Sequence, residues 1–306
     1  MEFDNENYKP QFAGHETFPL RSLWLKKAYD VVKKRKEKNI FSSAEAIALL
    51  GVGRNMAQSM RYWALAAGVI EEAKGVLVPS ALGTLILDDN GWDPYLEKAA
   101  TLWLVHAALA GNAAYTTTWY WAFNIFSNGT FDREALVRGL TSTADQREWS
   151  RVSQTTLKRD VECFVRTYAG ATRGANVEDA LEPLLVELGL IRVAAHGGGF
   201  EFVRGPKPSL PDEVFVLALQ RYWNLLHKEA ETLSVEAICF GSGAPGRVFK
   251  LDENSVIERL TRIEQISMGA YLWSETAGLK QVVKIKGLDP KTMLTAAYQH
   301  ISAKAA

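Results

Sequence analysis

The residues best able to do chemistry stand together near the start of the chain, in the stretch Phe12 to Lys27, FAGHETFPLRSLWLKK. His15 is the side-chain type whose ordinary titration falls near neutral pH, so it can serve as a base. Glu16 could orient that imidazole or bind a divalent ion. Arg21 and Lys26 could hold a phosphate, and Asp160 and Arg166 could join them from a later helix. Phosphodiester cleavage needs such parts: a base for the nucleophile, stabilisation of charge on the phosphorus oxygens, and help for the leaving oxygen. The same residues also have a structural reading. Thr17 can cap a helix ahead of Pro19, while His15 and Glu16 bond to backbone and Phe12, Phe18, Leu20, Leu23 and Trp24 dock a segment that would otherwise fray. Capping by Thr17 is compatible with both readings.

The elements that would position these groups follow from periodicity. From Pro19, apolar residues at Leu20, Leu23, Trp24, Ala28, Val31 and Val32 recur at helical spacing, which predicts a helix to about Lys38. Between Arg21 and Lys38 stand eight basic residues (Arg21, Lys26, Lys27, Lys33, Lys34, Arg35, Lys36, Lys38) against Asp30 and Glu37, a local charge of +6. Cations suit a helix C-terminus, and they also suit a phosphate backbone, where each displaces condensed counterions.

Residues Phe41 to Pro79 read as a winged helix-turn-helix. Ser42 and Glu45 have capping-box spacing, Gly51-Val52-Gly53 makes the turn, and Asn55 can cap a second helix to Ala67, closed by Gly68. Met56, Met60, Trp63 and Ala67 point inward, leaving Arg54, Asn55, Gln58, Ser59 and Arg61 outside. Arginine, asparagine and glutamine near the start of such a helix are the types that pair with base edges. Two short strands about Lys74 and Gly75 would form the wing; winged helices also serve as protein-binding modules.

A helix is expected over DPYLEKAATLWLVHAALA, with Asp93 and Glu97 four apart near its start and His106 in its apolar part. The carboxylates at that spacing could hold a divalent metal, although they more simply suit a helix N-terminus, and the histidine suits a core. The aromatic group Tyr115, Trp119, Tyr120, Trp121, Phe123 and Phe126 is expected to close the core rather than stack on bases. Thr155 to Tyr168 reads as a helix that exposes Lys158 and Arg159, which could contact DNA. Beyond a loop at ATRGAN (171–176), a helix Val177 to Leu188 and a glycine-rich hairpin are again wing-like. PKPSLP (206–211) is a linker, followed by a helix from Asp212 to Lys228. A helix Ser234 to Phe240, the loop GSGAPGR, a helix Asp252 to Ile266 and a last hairpin then repeat the first order of elements. GSGAPGR lacks the lysine and hydroxyl of a phosphate-binding loop and reads as a connector, although Arg247 and Lys250 could touch phosphates. The fold class expected is α+β, mainly α, with winged helix-turn-helix modules joined by a helical, aromatic-rich middle. The expected divisions are 1–88, 89–205 and 206–306.

Composition sets bounds. Of 306 residues, 47% are hydrophobic and 23% charged, the balance of an ordinary globular chain. Net charge is zero, which excludes a wholly basic coat and leaves a local basic face open. Cys163 and Cys239 lack metal-type spacing and read as buried free thiols in a reducing cytoplasm. No apolar run is long enough to span a bilayer, and MEFDNEN does not read as a signal peptide. There is no restriction-fold, HNH or GIY-type nuclease motif, no nucleotide-binding loop and no zinc set, so any catalytic site must be assembled from separated segments.

GHETFPLR followed by WLKK resembles the N-terminal signature of a bacterial family of unknown-function domains. That family includes SspB, the nickase subunit of a DNA phosphorothioation and defence system. The resemblance continues in order through LGVGRNMAQSMRYW (50–63), DPYLE (93–97), TLWLVHAAL (101–109), TLKRDVECFVRTY (156–168) and GRVFKLDENSV (246–256), and so covers most of the chain. It implies a DNA-binding component of such a system, a nickase or a non-catalytic adaptor. It further implies magnesium or manganese and no nucleotide or organic cofactor. The implied partners are double-stranded DNA, a cysteine desulfurase and ATPase subunits, with no membrane, and a homodimer is compatible with it.

Overall fold

Helix starts are set by local capping. Asp132 accepts from the Ala135 amide at 2.6 Å, Ser80 from Gly83 at 2.9 Å and Asp252 from Ser255 at 2.9 Å, each satisfying an orphan donor of a first turn. The computed structural model describes residues 3–35, 40–150, 152–169, 183–195, 198–276 and 278–304. Lys36 and Lys38, the loop 171–176 and most of the expected helix 177–188 lie outside these residues; Leu184–Leu188 form a 3-10 turn.

The first part contains α1 (Trp24–Lys34), α2 (Ala44–Leu50), α3 (Arg54–Ala66), β1 (Ile70–Ala73), β2 (Val76–Pro79) and α4 (Ala81–Leu87). The middle part contains α5 (Ala99–Ala110), α6 (Thr117–Asn124), β3 (Thr130–Phe131), α7 (Arg133–Gln146), α8 (Gln154–Ala169), β4 (Ile191–Val193) and β5 (Phe200–Phe202). The last contains α9 (Asp212–Leu226), β6 (Thr232–Ser234), α10 (Val235–Phe240), α11 (Pro245–Val248), α12 (Glu253–Leu260), α13 (Ile263–Ile266), β7 (Tyr271–Thr276), β8 (Leu279–Lys284) and α14 (Pro290–Lys304). All strand pairs are antiparallel, and the two three-stranded sheets share one order, β3-β5-β4 and β6-β8-β7. Helices dominate and the sheets are small, an α+β, mainly α fold.

The expected β1–β2 hairpin turns at Lys74 and Gly75, both with positive φ (54° and 75°), the twist a two-residue turn between strands requires. Several boundaries differ from expectation. The first helix begins at Trp24 rather than Pro19, because Leu20 is extended and accepts from the Leu184 amide at 3.0 Å. Asn55 does not cap α3; Gly53 does, and Asn55 lies in the first turn. The helix expected over 252–266 breaks between α12 and α13.

One apolar core runs through all three parts, with Trp63, Trp103, Trp119 and Trp223 fully buried. Trp119, Tyr120, Trp121 and Phe123 lie inside it, whereas Tyr115 is 40% exposed. His106 is a joint in that core: Nε2 donates to the Val248 carbonyl at 2.8 Å and Nδ1 accepts from the Tyr168 hydroxyl at 2.8 Å, tying α5 to α8 and α11. Burial pushes its pKa down to about 3, so the ring stays neutral. Asp93 is also structural, since its carboxylate accepts from the Glu97 and Lys98 amides at 2.9 Å each and from Thr101.

GSGAPGR joins α10 to α11 at backbone contact. A Cβ on Gly246 would lie 2.4 Å from the Cys239 carbonyl oxygen and 2.6 Å from its Cα. Backbone on both sides cannot yield as a flexible side chain would. Gly246→Ala is therefore expected to cost ~1–3 kcal/mol of stability, read by urea unfolding; a midpoint equal to the wild type would contradict this contact.

Candidate functional site

The loop 12–18 is clasped between α3 and α8. His15 is fully buried. Its Nδ1 accepts from the Thr17 amide at 3.0 Å, and its Nε2 lies 2.8 Å from Asp160 Oδ1. The Thr17 N–H occupies the Nδ1 lone pair, which assigns the hydrogen to Nε2 and makes the ring the donor to Asp160. Asp160, 1% exposed, also accepts from the Ala13 amide at 2.6 Å and from Thr118 Oγ1 at 2.5 Å. Three donors thus compensate one buried carboxylate. Burial disfavours the imidazolium, while the Asp160 carboxylate favours it and draws the His15 pKa upward; the Thr17 amide opposes that pull.

The ring of His15 is walled by Trp63, Trp119 and Tyr62, with centroids 6.2, 5.8 and 6.0 Å away. Ser59 on α3 donates to the His15 carbonyl at 2.8 Å, and Trp63 Nε1 donates to the Phe18 carbonyl at 3.0 Å. Gly14 is required because the Tyr62 ring would meet a Cβ there at 2.4 Å. Ala13, Glu16 and Thr17 all hold positive φ (61°, 48° and 69°), a conformation that non-glycine residues keep only when their surroundings impose it.

A thiol, an imidazole and a carboxylate within one cluster resemble a nucleophilic triad, and the geometry rejects that reading. Both ring nitrogens of His15 are committed, leaving neither to take a proton from Cys163. The thiol is 1% exposed, and burial raises its pKa. The residues expected to cleave a phosphodiester therefore divide. His15 and Asp160 meet, but where no phosphate reaches them. Glu16 is exposed on the loop, Arg21 lies over the Trp24 ring at 5.3 Å, and Arg166 stands half-buried six residues beyond Asp160 on α8. Thr118 and Ser59 complete the clasp: Thr118 carried no signal in the sequence, and Ser59, expected on the outer face of α3, is instead fully buried, because what selects both is contact across more than forty residues. Among the described residues no group of three His, Cys, Asp or Glu side chains converges as a metal cage would require, so no step is derived through a metal.

The sequence matches, over residues 12–298, the family described as Protein of unknown function (DUF4007). The chain belongs to the DUF4007 family. Two solved structures share the fold: an SspB crystal structure, and one of SspB with a magnesium ion bound. Each gives a TM-score of 0.84 at 28% identity over 94% of this chain and 88% of the other. No curated protein gives a significant match.

In this DUF4007 chain the basic residues expected at the surface are sorted by their neighbours. Lys26 is held by Asp30 at 2.9 Å, Asp89 at 3.0 Å and the Leu87 carbonyl; Lys33 pairs with Asp88 at 2.8 Å, and Arg35 with Glu45 at 2.5 Å. The +6 of this segment is thus halved to +3 by Asp88 and Asp89 from the α4 end and Glu45 of α2, which the local count could not include. Lys27 and Lys34 are exposed on α1, Arg54 and Asn55 on α3, and Lys158 and Arg159 on α8. Gln58 is half-buried, donating to the Phe41 carbonyl and Ser42 Oγ, and Arg61 is half-buried. Arg247 donates to the Phe240 carbonyl at 3.2 Å. Lys250 is corrected outright: it is 5% exposed, and its Nζ donates to the Phe123 carbonyl at 2.8 Å between the Phe123 and Phe202 rings. It cannot meet a phosphate. No helix among the described residues is long and apolar enough to cross a membrane.

Proposed function

We propose that this protein is a DNA-binding component of a bacterial phosphorothioate modification system, with winged-helix modules in 1–88 and 206–306 joined by a helical, aromatic-rich middle, 89–205, whose helices and hairpin are also wing-like. One observation carries the reading. The 12–18 loop is bonded on one side to α3 through Ser59 and Trp63 and on the other to α8 through Asp160. It fixes the two helices that occupy the recognition position and carry Arg54, Asn55, Lys158 and Arg159 in the open. The strand orders β3-β5-β4 and β6-β8-β7, each following helices and closing a hairpin onto an earlier strand, support the module assignment. Similarity to SspB along nearly the whole chain supports the biological setting. Cysteine desulfurase and ATPase subunits are the protein partners of this reading.

The test is binding of a short duplex by fluorescence anisotropy across a salt series. Replacing both Arg54 and Arg159 by Ala is expected to weaken binding and to lower the slope of log K against log salt by ~2, about 0.9 per phosphate contact removed. An unchanged slope would remove α3 and α8 from the interface. Nicking is the second reading, favoured by similarity to the magnesium-bound SspB structure. Exposed Glu16 is the loop residue it would use, with magnesium or manganese and with Arg21 and Arg166 near the phosphate. Conversion of supercoiled plasmid to open circle that disappears in Glu16→Gln would support it; identical conversion in that variant would end it.

A further inference from the structure

Away from the clasp, β7 forms an open edge of the last sheet, because it pairs only with β8. Which of its backbone groups face outward follows from the ladder. Lys284 of β8 donates its N–H to the Glu231 carbonyl on the β6 side at 2.9 Å, so the next residue back, Val283, turns to β7 and pairs with Leu272. Alternation then gives Leu272, Ser274 and Thr276 to β8 and turns Tyr271, Trp273 and Glu275 outward. The Ser267 hydroxyl serves Tyr271, lying 3.0 Å from its nitrogen and 3.3 Å from its carbonyl oxygen. Trp273 and Glu275 each keep an outward N–H and C=O, and among the described residues no backbone group outside the sheet bonds to them.

An edge strand is a template for another strand unless it is short, bulged, interrupted by proline or charged. β1, β2, β3, β4 and β6 are short, spanning two to four residues. β7 spans six in unbroken register, holds no proline, and carries one charge, Glu275, which stands 4.0 Å from Lys280. We propose that β7 pairs with β7 of a second copy of this chain, antiparallel about a two-fold axis through Ser274, joining two three-stranded sheets into one. In that register Trp273 lies opposite the partner's Glu275, and the outward groups close two hydrogen bonds at each such pair. The side chains agree with it. Leu272 comes beside the partner's Thr276 and, one strand further, the partner's Leu279, which is 69% exposed in the single chain. Trp273, partly exposed, is covered by the oppositely charged pair of the partner's Glu275 and the partner's Lys280, so no like charges are opposed. A foreign strand would satisfy the backbone equally. What selects a second copy is that this register is self-complementary, as a two-fold interface requires. The surface is separate from the clasp and does not depend on the DNA-binding reading.

Sedimentation of the full chain from about 1 µM to about 1 mM should show a reversible monomer–dimer equilibrium, weak because the contact is small. Glu275→Pro removes an outward N–H and leaves the β8 ladder intact, and it should raise the dissociation constant at least tenfold. Register is read by oxidation, which also serves if the proline variant does not fold. Ser274→Cys places two thiols at a non-hydrogen-bonded pair, with Cα atoms about 4.5 Å apart and within disulfide reach, and should give a covalent dimer. Thr276→Cys, whose counterpart lies roughly 14 Å away along the ladder, should not. Cys163 and Cys239 are buried and do not compete. A chain that stays monomeric at the highest concentration, as it would if the edge takes a strand of another protein, would overturn the proposal. So would a dimer indifferent to Glu275→Pro, or cross-linking at 276 as fast as at 274.

Discussion

Asp160→Ala is expected to lower stability by ~3–5 kcal/mol, the range for breaking a buried charged pair by removing one partner. Three donors would lose their acceptor in one step: the Ala13 amide, His15 Nε2 and Thr118 Oγ1. Each unsatisfied buried donor costs ~1–3 kcal/mol, and the loop 12–18, held in three positive-φ residues, would lose its anchor on α8. Thermal melting should fall by on the order of 10 °C. Asp160→Asn keeps one oxygen acceptor and should lose less. The comparison also separates structure from chemistry. A variant that melts like the wild type yet fails to nick plasmid would make the His15–Asp160 pair chemical rather than a clasp. Loss of stability with any nicking per folded molecule unchanged would make it structural.

That pair also marks how far the sequence could be read. The stretch GHETF was legible as docked because apolar anchors alternate with polar groups, and Asp160 was legible as its companion by residue type. Burial was not, because exposure of His15 is decided by Trp63, Trp119 and Tyr62, which arrive from α3 and α6. Helices with a clear apolar stripe and hairpins with turn chemistry came through: α3, α8 and the β1–β2 turn at Lys74 and Gly75. Ends set by tertiary contact did not, as at Leu20, whose extended backbone is held by Leu184. The charge of the basic run was incomplete for the same reason. A local count includes Asp30 and omits Asp88, Asp89 and Glu45, although all four lie within ion-pair distance of that run.

Lys250 gives the second large expected effect, on the pH dependence of stability. Burial lowers its pKa from 10.5 to about 7, with Arg247 and Arg204 adding repulsion. Lys207, bonded to the Val203 and Gly205 carbonyls, is drawn down to about 8 for the same leading reason. Between pH 7 and 10.5 the unfolded chain holds the Lys250 proton and the folded chain does not, so stability rises with pH across that window. At ~1.36 kcal/mol per pH unit the ceiling is on the order of 5 kcal/mol. The Phe123 carbonyl and the two rings, which favour the charged amine, bring it lower. Lys250→Met removes the titration and keeps the volume. It should flatten the rise measured by urea unfolding from pH 6 to 10 and should stabilise the chain most at the acid end, where the ammonium is otherwise buried. The gain is bounded because the Phe123 carbonyl, in the last turn of α6, loses its donor. A wild-type profile that is flat from pH 7 to 10 would show that the amine is hydrated in the folded state, and the aromatic enclosure by Phe123 and Phe202 would then have to open.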